Sequence, residues 1–126
     1  MEYDVVIVGG GPSGLSTAIK LKQLNPNINV CILEKAAEIG AHILSGNVFE
    51  TRALDELIPN WKDFNSPITT KVKKEKFLFL SKSKSLSWPT WLLPKVQQNH
   101  KNYIISLANL CRWLAEQAEA LGVETV

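Results

Sequence analysis

Two short apolar runs on either side of an amphipathic stretch predict a β-α-β unit at the start of the chain. Val5 to Val8 is a β-branched run, typical of a strand that is covered on both faces of a parallel sheet. Pro12 suits the first turn of a helix, and Asn25 with Pro26 ends that helix. Asn29 to Leu33 is the second strand, so a right-handed crossover is expected. The apolar side of the helix is Leu15, Ala18, Ile19 and Leu24.

The middle of the chain predicts a short helix and a hairpin. Thr51 to Ile58 is the helix, which Pro59 ends. Thr69 to Leu80 and Ser85 to Trp91 are extended segments, and the polar turn at 81–84 joins them as an antiparallel hairpin.

The last part predicts a helix that Ser106 caps and Gly122 stops, followed by a strand that begins at Val123. Its apolar face is Leu107, Leu110, Cys111, Leu114, Ala118 and Leu121. Two parallel strands and the start of a third are fewer than the roughly five or six of a complete doubly wound sheet. We therefore expect an incomplete α/β unit whose open edges are covered by further polypeptide.

Composition narrows the class of protein. Hydrophobic residues make up 45% and charged residues 21%, as in a globular domain, and a net charge of +2 does not indicate a nucleic-acid partner. Cys31 and Cys111 lie in apolar runs, which predicts buried thiols and neither an iron–sulfur nor a zinc site. The first residues are not expected to form a signal or transit peptide, and no apolar run nears the ~20 residues of a membrane span. An intracellular chain that does not cross a membrane is expected.

A glycine-rich turn follows the first strand and opens the first helix. Gly9, Gly11 and Gly14 satisfy the pattern G-x-G-x-x-G. The first permits a tight turn, the second lets the main chain approach a diphosphate, and the third lets the helix lie against the sheet. The helix N-terminus would bind the diphosphate. Glu34, twenty residues after Gly14, would accept hydrogen bonds from ribose hydroxyls and repel a 2′-phosphate, which disfavours NADP.

These features predict a dinucleotide site in an incomplete Rossmann-like, three-layer α/β domain. FAD and NAD share the glycine pattern, but its position near the N-terminus and Ala18, four residues after Gly14, are typical of FAD-binding proteins. An NAD-binding enzyme and a glycine turn without a ligand stay open as alternatives.

Four segments of the chain, which together span almost all of it, resemble electron transfer flavoprotein–ubiquinone oxidoreductases. The most specific are Glu34 to Gly46, with its Gly-Ala-His and Leu-Ser-Gly pieces, and Asn99 to Ile104. The others are Arg52 to Leu57, with Pro59 and Trp61, and Trp113 to Glu124. The chain departs from the family at Lys101, where glycine is common, and in a lysine-rich hairpin.

The resemblance implies an enzyme that takes electrons from reduced electron transfer flavoprotein and passes them through FAD and a 4Fe–4S cluster to ubiquinone. The cluster is expected only in a C-terminal domain absent from these residues, so this part is expected to be inactive alone. The implied location is peripheral, on the cytoplasmic face of a bacterial inner membrane or the matrix side of the mitochondrial inner membrane. No residue here is predicted to be catalytic or to bind a metal ion.

The resemblance also divides the chain into three segments. Residues 1–66 are the first part of the FAD-binding domain, 67–104 a hairpin excursion toward a membrane and quinone-side domain, and 105–126 the return to the FAD-binding domain. The candidate cofactor-binding residues are Gly9, Gly11, Pro12, Ser13, Gly14, Glu34, Lys35, Ala41, His42, Leu44 and Ser45. For His42, contact with FAD and a structural role both stay open, and His100 is predicted to be structural.

Residues 86–96 are aromatic, apolar and interrupted by proline, and seven lysines lie between positions 62 and 84. A basic patch is attracted to anionic lipid, and tryptophan favours the membrane interface. Because the family enzyme is monotopic, Trp88, Trp91, Leu92 and Leu93 are the candidate membrane and quinone-side residues. The alternative is that both tryptophans pack in the core beneath a sheet.

Two further functions stay open. A related FAD-dependent dehydrogenase or geranylgeranyl-type reductase would share the same N-terminal site for FAD. A non-catalytic nucleotide-binding fragment would share the glycine turn.

Overall fold

A computed structural model describes residues 2–126, in which strands and helices alternate along the chain. The strands are β1 (Val5–Val8), β2 (Val30–Leu33), β3 (Ser45–Phe49), β4 (Thr70–Lys71), β5 (Phe77–Leu80), β6 (Ser85–Trp88), β7 (Tyr103–Ser106) and β8 (Glu124–Thr125). The helices are α1 (Pro12–Leu24), α2 (Arg52–Leu57) and α3 (Leu107–Ala120), and short 3₁₀ turns occur at Trp61–Asp63, Thr90–Leu92 and Lys95–Gln97.

The first sheet is parallel and has the strand order β1-β2-β8. Val5 lies opposite Val30 in the β1–β2 pair, and Cys31 lies opposite Glu124 in the β2–β8 pair. Since α1 connects β1 to β2, the predicted β-α-β unit and the α/β fold class are confirmed.

A second sheet, which the sequence pattern did not predict, is antiparallel with the order β3-β7-β4. Phe49 lies opposite Tyr103, and Thr70 lies opposite Ile104. The predicted continuous extended segment from Thr69 to Leu80 is wrong. Its first part is β4, which pairs with β7, and the charged residues 73–76 that follow form no strand. The second sheet draws on all three segments 1–66, 67–104 and 105–126, a division that stays a prediction.

The hairpin itself is confirmed. β5 and β6 are antiparallel, with Phe77 opposite Trp88 and Leu80 opposite Ser85. The second strand ends at Trp88 rather than at Trp91, because Pro89 has no N–H to donate and Thr90–Leu92 forms a 3₁₀ turn.

α3 packs against α1 and also against β3 and β7. Because it has two partners, its buried surface is wider than the single apolar stripe that the sequence predicted. Trp113 and Ala115 are buried in addition, and the Trp113 Nε1–H donates to the Phe64 carbonyl oxygen at 2.7 Å. Two expected core positions are instead exposed: Leu24 by 73% and Leu121 by 41%.

The predicted ends of α3 are confirmed, as are the buried thiols. Ser106 Oγ accepts a hydrogen bond from the Asn109 N–H at 3.4 Å, and Gly122 has a left-handed φ of +82°. Cys31 and Cys111 are both buried and free, and burial raises the pKa of the Cys111 thiol to about 11.

Candidate dinucleotide-binding site

The glycine turn between β1 and α1 disfavours side chains at two of its positions, Gly9 because of its backbone conformation and Gly14 because of a close contact. Gly9 has a φ of +102°, which L-residues with a side chain rarely adopt. Its N–H donates to the Leu33 carbonyl oxygen at 2.8 Å and so extends the pairing of β1 with β2. A Cβ at Gly14 would lie 2.1 Å from the Gly9 carbonyl oxygen. Glycine at position 14 is therefore what allows α1 to lie against the end of β1.

Gly11, by contrast, faces open space. A Cβ built there would meet no atom of residues 2–126 within 4 Å, and its φ of −81° is ordinary. Gly11 is the N-cap of α1, no side chain caps this end, and the first turn carries no acidic residue. The unpaired N–H groups and the positive dipole end of the helix are consequently not neutralised by any carboxylate of that turn. A diphosphate fits these features.

Glu34 follows β2 and holds the glycine turn in place. Its Oε2 accepts a hydrogen bond from the Gly10 N–H at 2.7 Å, and its Oε1 accepts one from the Ala36 N–H at 3.0 Å. The bond from Ala36, then the bond from Gly10, lowers the pKa of the Glu34 carboxyl, and the charges of His42 and Lys35 act in the same direction. The carboxylate is therefore ionised at neutral pH, and it keeps acceptor positions for sugar hydroxyls.

The segment after Glu34 packs against the turn through residues that sequence reasoning missed. The Ile39 side chain lies on Gly10, where an added Cβ would be 3.0 Å from Ile39 Cγ1. Gly40 is buried with a φ of +87°, and an added Cβ there would be 2.8 Å from the Ala108 carbonyl oxygen in α3. A glycine in the middle of a predicted cofactor loop was the signal that could have indicated this close approach.

The other candidate residues divide into two groups. Pro12 and Ser13 lie in the first turn of α1, and the Ser13 carbonyl oxygen accepts a hydrogen bond from Thr17 Oγ1 at 2.8 Å. Lys35, Ala41, His42 and Leu44 are exposed, and Ser45 begins β3 opposite Ser106. The structure thus brings the glycine turn and Glu34 together, while Leu44 and Ser45 lead into the second sheet.

The hairpin exposes a line of aromatic and apolar side chains. Phe77 and Trp88 are directly opposite each other, as are Phe79 and Leu86, so the four side chains share one face. The ring centroids of Phe79 and Trp88 are 6.0 Å apart in an edge-to-face arrangement. Trp88 is 41% exposed and Trp91 75% exposed, so neither packs in the core that residues 2–126 form. Leu92 is exposed and Leu93 is half-buried.

A groove of about 660 Å³ lies along α1, between it and α2. Most of its lining is aliphatic, including Leu21, Leu57 and Leu114, and only Pro12 and Ser13 of the candidate residues reach it. The groove and the glycine turn therefore lie in different places. The unpaired N–H groups at the turn suit a diphosphate better than the aliphatic lining of the groove does.

Two negative observations apply to residues 2–126. No three His, Cys, Asp or Glu side chains lie together in a way that could hold a metal ion. Within the same residues, no helix combines the length and hydropathy required to cross a bilayer.

Fold and site together define a Rossmann-like α/β domain of the dinucleotide-binding class. The Thi4 family matches residues 1–60. Among solved structures, the tetrameric form of 2-methyl-3-hydroxypyridine-5-carboxylic acid oxygenase superposes with a TM-score of 0.64 at 25% identity, covering 97% of this chain and 30% of that one. A geranylgeranyl bacteriochlorophyll reductase-like protein from Thermoplasma acidophilum shares the fold with a TM-score of 0.68 at 23% identity, covering 98% of this chain and 29% of that one.

Sequence similarity is far higher to one family, the electron transfer flavoprotein-ubiquinone oxidoreductases. The mitochondrial protein of Dictyostelium discoideum is 55% identical over 98% of this chain and 20% of its own length. The protein of Pseudomonas aeruginosa is 54% identical over 98% of this chain and 23% of its own length, and that of Bos taurus is 50% identical over 98% and 20%. The predicted resemblance is therefore confirmed, and the chain spans about a fifth of the length of these relatives.

Proposed function

We propose that these residues bind the ADP half of FAD within an oxidoreductase that passes electrons from reduced electron transfer flavoprotein to ubiquinone. The observation that carries the proposal is the open main chain at Gly11, the N-cap of a helix whose first turn carries no acidic residue. The names of relatives at 50–55% identity support the class of reaction and the two partners.

Each group of residues has a separate task in this proposal. The main chain at Gly11 and the first turn of α1 hold the diphosphate, and Glu34 holds the adenosine ribose while it fixes Gly10. Lys35, Ala41, His42, Leu44 and Ser45 continue along the cofactor. The bound flavin supplies the electron-transfer chemistry, and this chain supplies position and charge. The iron–sulfur cluster of a whole enzyme would be held elsewhere, since Cys31 and Cys111 are the two cysteines of this chain.

Gly11→Ala separates cofactor binding from folding. The added methyl meets no neighbour and a φ of −81° suits alanine, so we expect the fold to be kept. The same methyl occupies the surface by which the diphosphate would approach, so we expect FAD affinity to fall about tenfold or more, equivalent to about 1.4 kcal/mol. Flavin fluorescence titration of the full-length apoprotein measures the loss, and its melting temperature without FAD is the control. Unchanged FAD affinity in a folded variant contradicts the proposed site.

The cofactor itself distinguishes this proposal from an NAD-binding enzyme. A flavin released from the purified full-length protein absorbs at about 450 nm, whereas a nicotinamide dinucleotide does not. Recovery of NAD without flavin would reject the proposal.

The hairpin and the turns after it are proposed to contact a membrane surface on the quinone side. Trp91 and Leu92 are 75% and 51% exposed, the exposed Lys95 follows in the same segment, and Lys82 and Lys84 lie in the turn at the other end of β6. Apolar side chains beside lysines suit the boundary between acyl chains and anionic headgroups, where each lysine contributes about 1 kcal/mol. A location at the periphery of the membrane follows.

Replacing both Trp91 and Leu92 by serine tests this contact. We expect the double variant of the full-length enzyme to lose flotation with liposomes that contain anionic lipid, because the exposed apolar surface is removed. Leu121→Ser, at an exposed leucine on the end of α3, is the matched control and should float as the wild type does. Unchanged flotation of the double variant would rule out this part of the proposal.

A further inference from the structure

Gly40 stands where two parts of the molecule touch. Its main chain lies against the first turn of α3, so that an added Cβ would be 2.8 Å from the Ala108 carbonyl oxygen and 3.2 Å from Ala108 Cα. Both are backbone atoms of a helix that packs against α1 and against the second sheet, so they have little freedom to retreat. A side chain at position 40 would therefore displace the loop and not the helix.

Ile39, the residue before Gly40, links this contact to the glycine turn. Ile39 Cγ1 and Cδ1 lie 3.0 and 3.2 Å from the position of a Cβ on Gly10, so the side chain rests directly on the Gly10 backbone. The Gly10 N–H in turn donates to Glu34. A continuous series of contacts thus runs from α3 through Gly40, Ile39 and Gly10 to the carboxylate.

We propose that Gly40 is a positioning residue for the dinucleotide site. Because Gly40 has no side chain, the loop can lie directly on α3, which sets the position of the loop, and through Ile39 the loop sets the positions of the glycine turn and Glu34. The inference rests on the proposed function, because the affinity that it sets is that for FAD. Gly40 acts through Ile39 and not by contact with the cofactor.

The chain contains a matched control for a substitution at Gly40. Gly46 has nearly the same φ, +84° against +87°, but an added Cβ there meets no atom within 4 Å. Gly46→Ala thus introduces the left-handed strain alone, and Gly40→Ala introduces the same strain together with the clash. In full-length protein we expect Gly40→Ala to weaken FAD binding about tenfold or more, and Gly46→Ala by less than about threefold.

A second pair of variants applies if Gly40→Ala does not fold. Ile39→Ala removes the contact with Gly10, and Ile28→Ala removes a similarly half-buried isoleucine before β2. We expect about a threefold or greater loss of FAD affinity for Ile39→Ala, and less than about twofold for Ile28→Ala. Where both single variants fold, the losses of Gly40→Ala and Ile39→Ala should not add in the double variant, because they interrupt one series of contacts.

The outcomes distinguish this inference from the proposed function. If the wild type binds no FAD, or Gly11→Ala leaves binding intact, the proposed function fails. If the wild type binds FAD and Gly11→Ala weakens it, but the two glycine variants bind alike and the two isoleucine variants bind alike, only the positioning role of Gly40 is overturned. A changed visible circular dichroism of the bound flavin in Gly40→Ala, and not in Gly46→Ala, would support it further.

Discussion

At the scale of single residues, Glu34 belongs to the fold as much as to the candidate site. Sequence reasoning gave it tasks at the cofactor alone, namely to bind the ribose and to repel a 2′-phosphate. In the structure both carboxylate oxygens also accept main-chain hydrogen bonds, from Gly10 and from Ala36. A carboxylate that two N–H donors hold rigidly is already oriented before any sugar arrives, which lowers the ordering cost of binding.

The same bonds predict a pH dependence of stability. The pKa of Glu34 in the folded chain lies below its ordinary value of 4.5, so ionisation stabilises the native state. This contribution is complete above the unfolded pKa and disappears as the pH falls through the lower folded pKa. We therefore expect wild type and Glu34→Gln to differ most in unfolding free energy near neutral pH, and to converge below about pH 4.5, where the wild-type side chain is also a neutral donor and acceptor.

Urea unfolding from about pH 7 down to about pH 3 measures this convergence. Glu116→Gln, at an exposed position on α3, is the control and should differ little from wild type at any pH in that range. A gap between wild type and Glu34→Gln that stays constant into acid would show that the hydrogen bonds of Glu34 do not depend on its charge.

At the scale of elements, the segments with a strong local signal could be predicted and the others could not. β1, α1 and β2 carry β-branched runs and helical spacing, and Ser106 and Gly122 mark the ends of α3 by their own chemistry. β3 begins Ser45-Gly46-Asn47, which has low β-propensity and contains an irregularity in its pairing with β7. Such a strand forms because it pairs with β7. Pairing between segments that are distant in the sequence leaves no local pattern from which the strand could be predicted.

The candidate site follows the same division. The glycine turn and Glu34 could be predicted because a parallel β-α-β unit places both at the carboxyl ends of adjacent strands. The contacts of Ile39 with Gly10 and of Gly40 with Ala108 could not, because they need α3 in position, and α3 is held by tertiary packing against both α1 and the second sheet.

At the scale of the whole molecule, a single hydrophobic cluster joins both sheets. It contains Ile32 of the first sheet, Ile105 of the second, and Leu15 and Leu110 of the two helices between them. No residue of the β5–β6 hairpin belongs to the buried part of this cluster. The two sheets therefore share one source of stability, and the hairpin depends on it least.

Two leucines test this arrangement in residues 1–126 expressed alone. Leu110 is 2% exposed within the cluster, and Leu80 is 76% exposed at the end of β5. Because a shared core unfolds cooperatively, we expect one transition in which circular dichroism and tryptophan fluorescence coincide. Leu110→Ala should lower the free energy of unfolding by about 2–5 kcal/mol for both signals, and Leu80→Ala by less than about 0.5 kcal/mol.

Two separate transitions, or a response to Leu110→Ala in one signal alone, would mean that the sheets are independent units. In that case the contact of Gly40 with α3 could not transmit the position of the second sheet to the glycine turn.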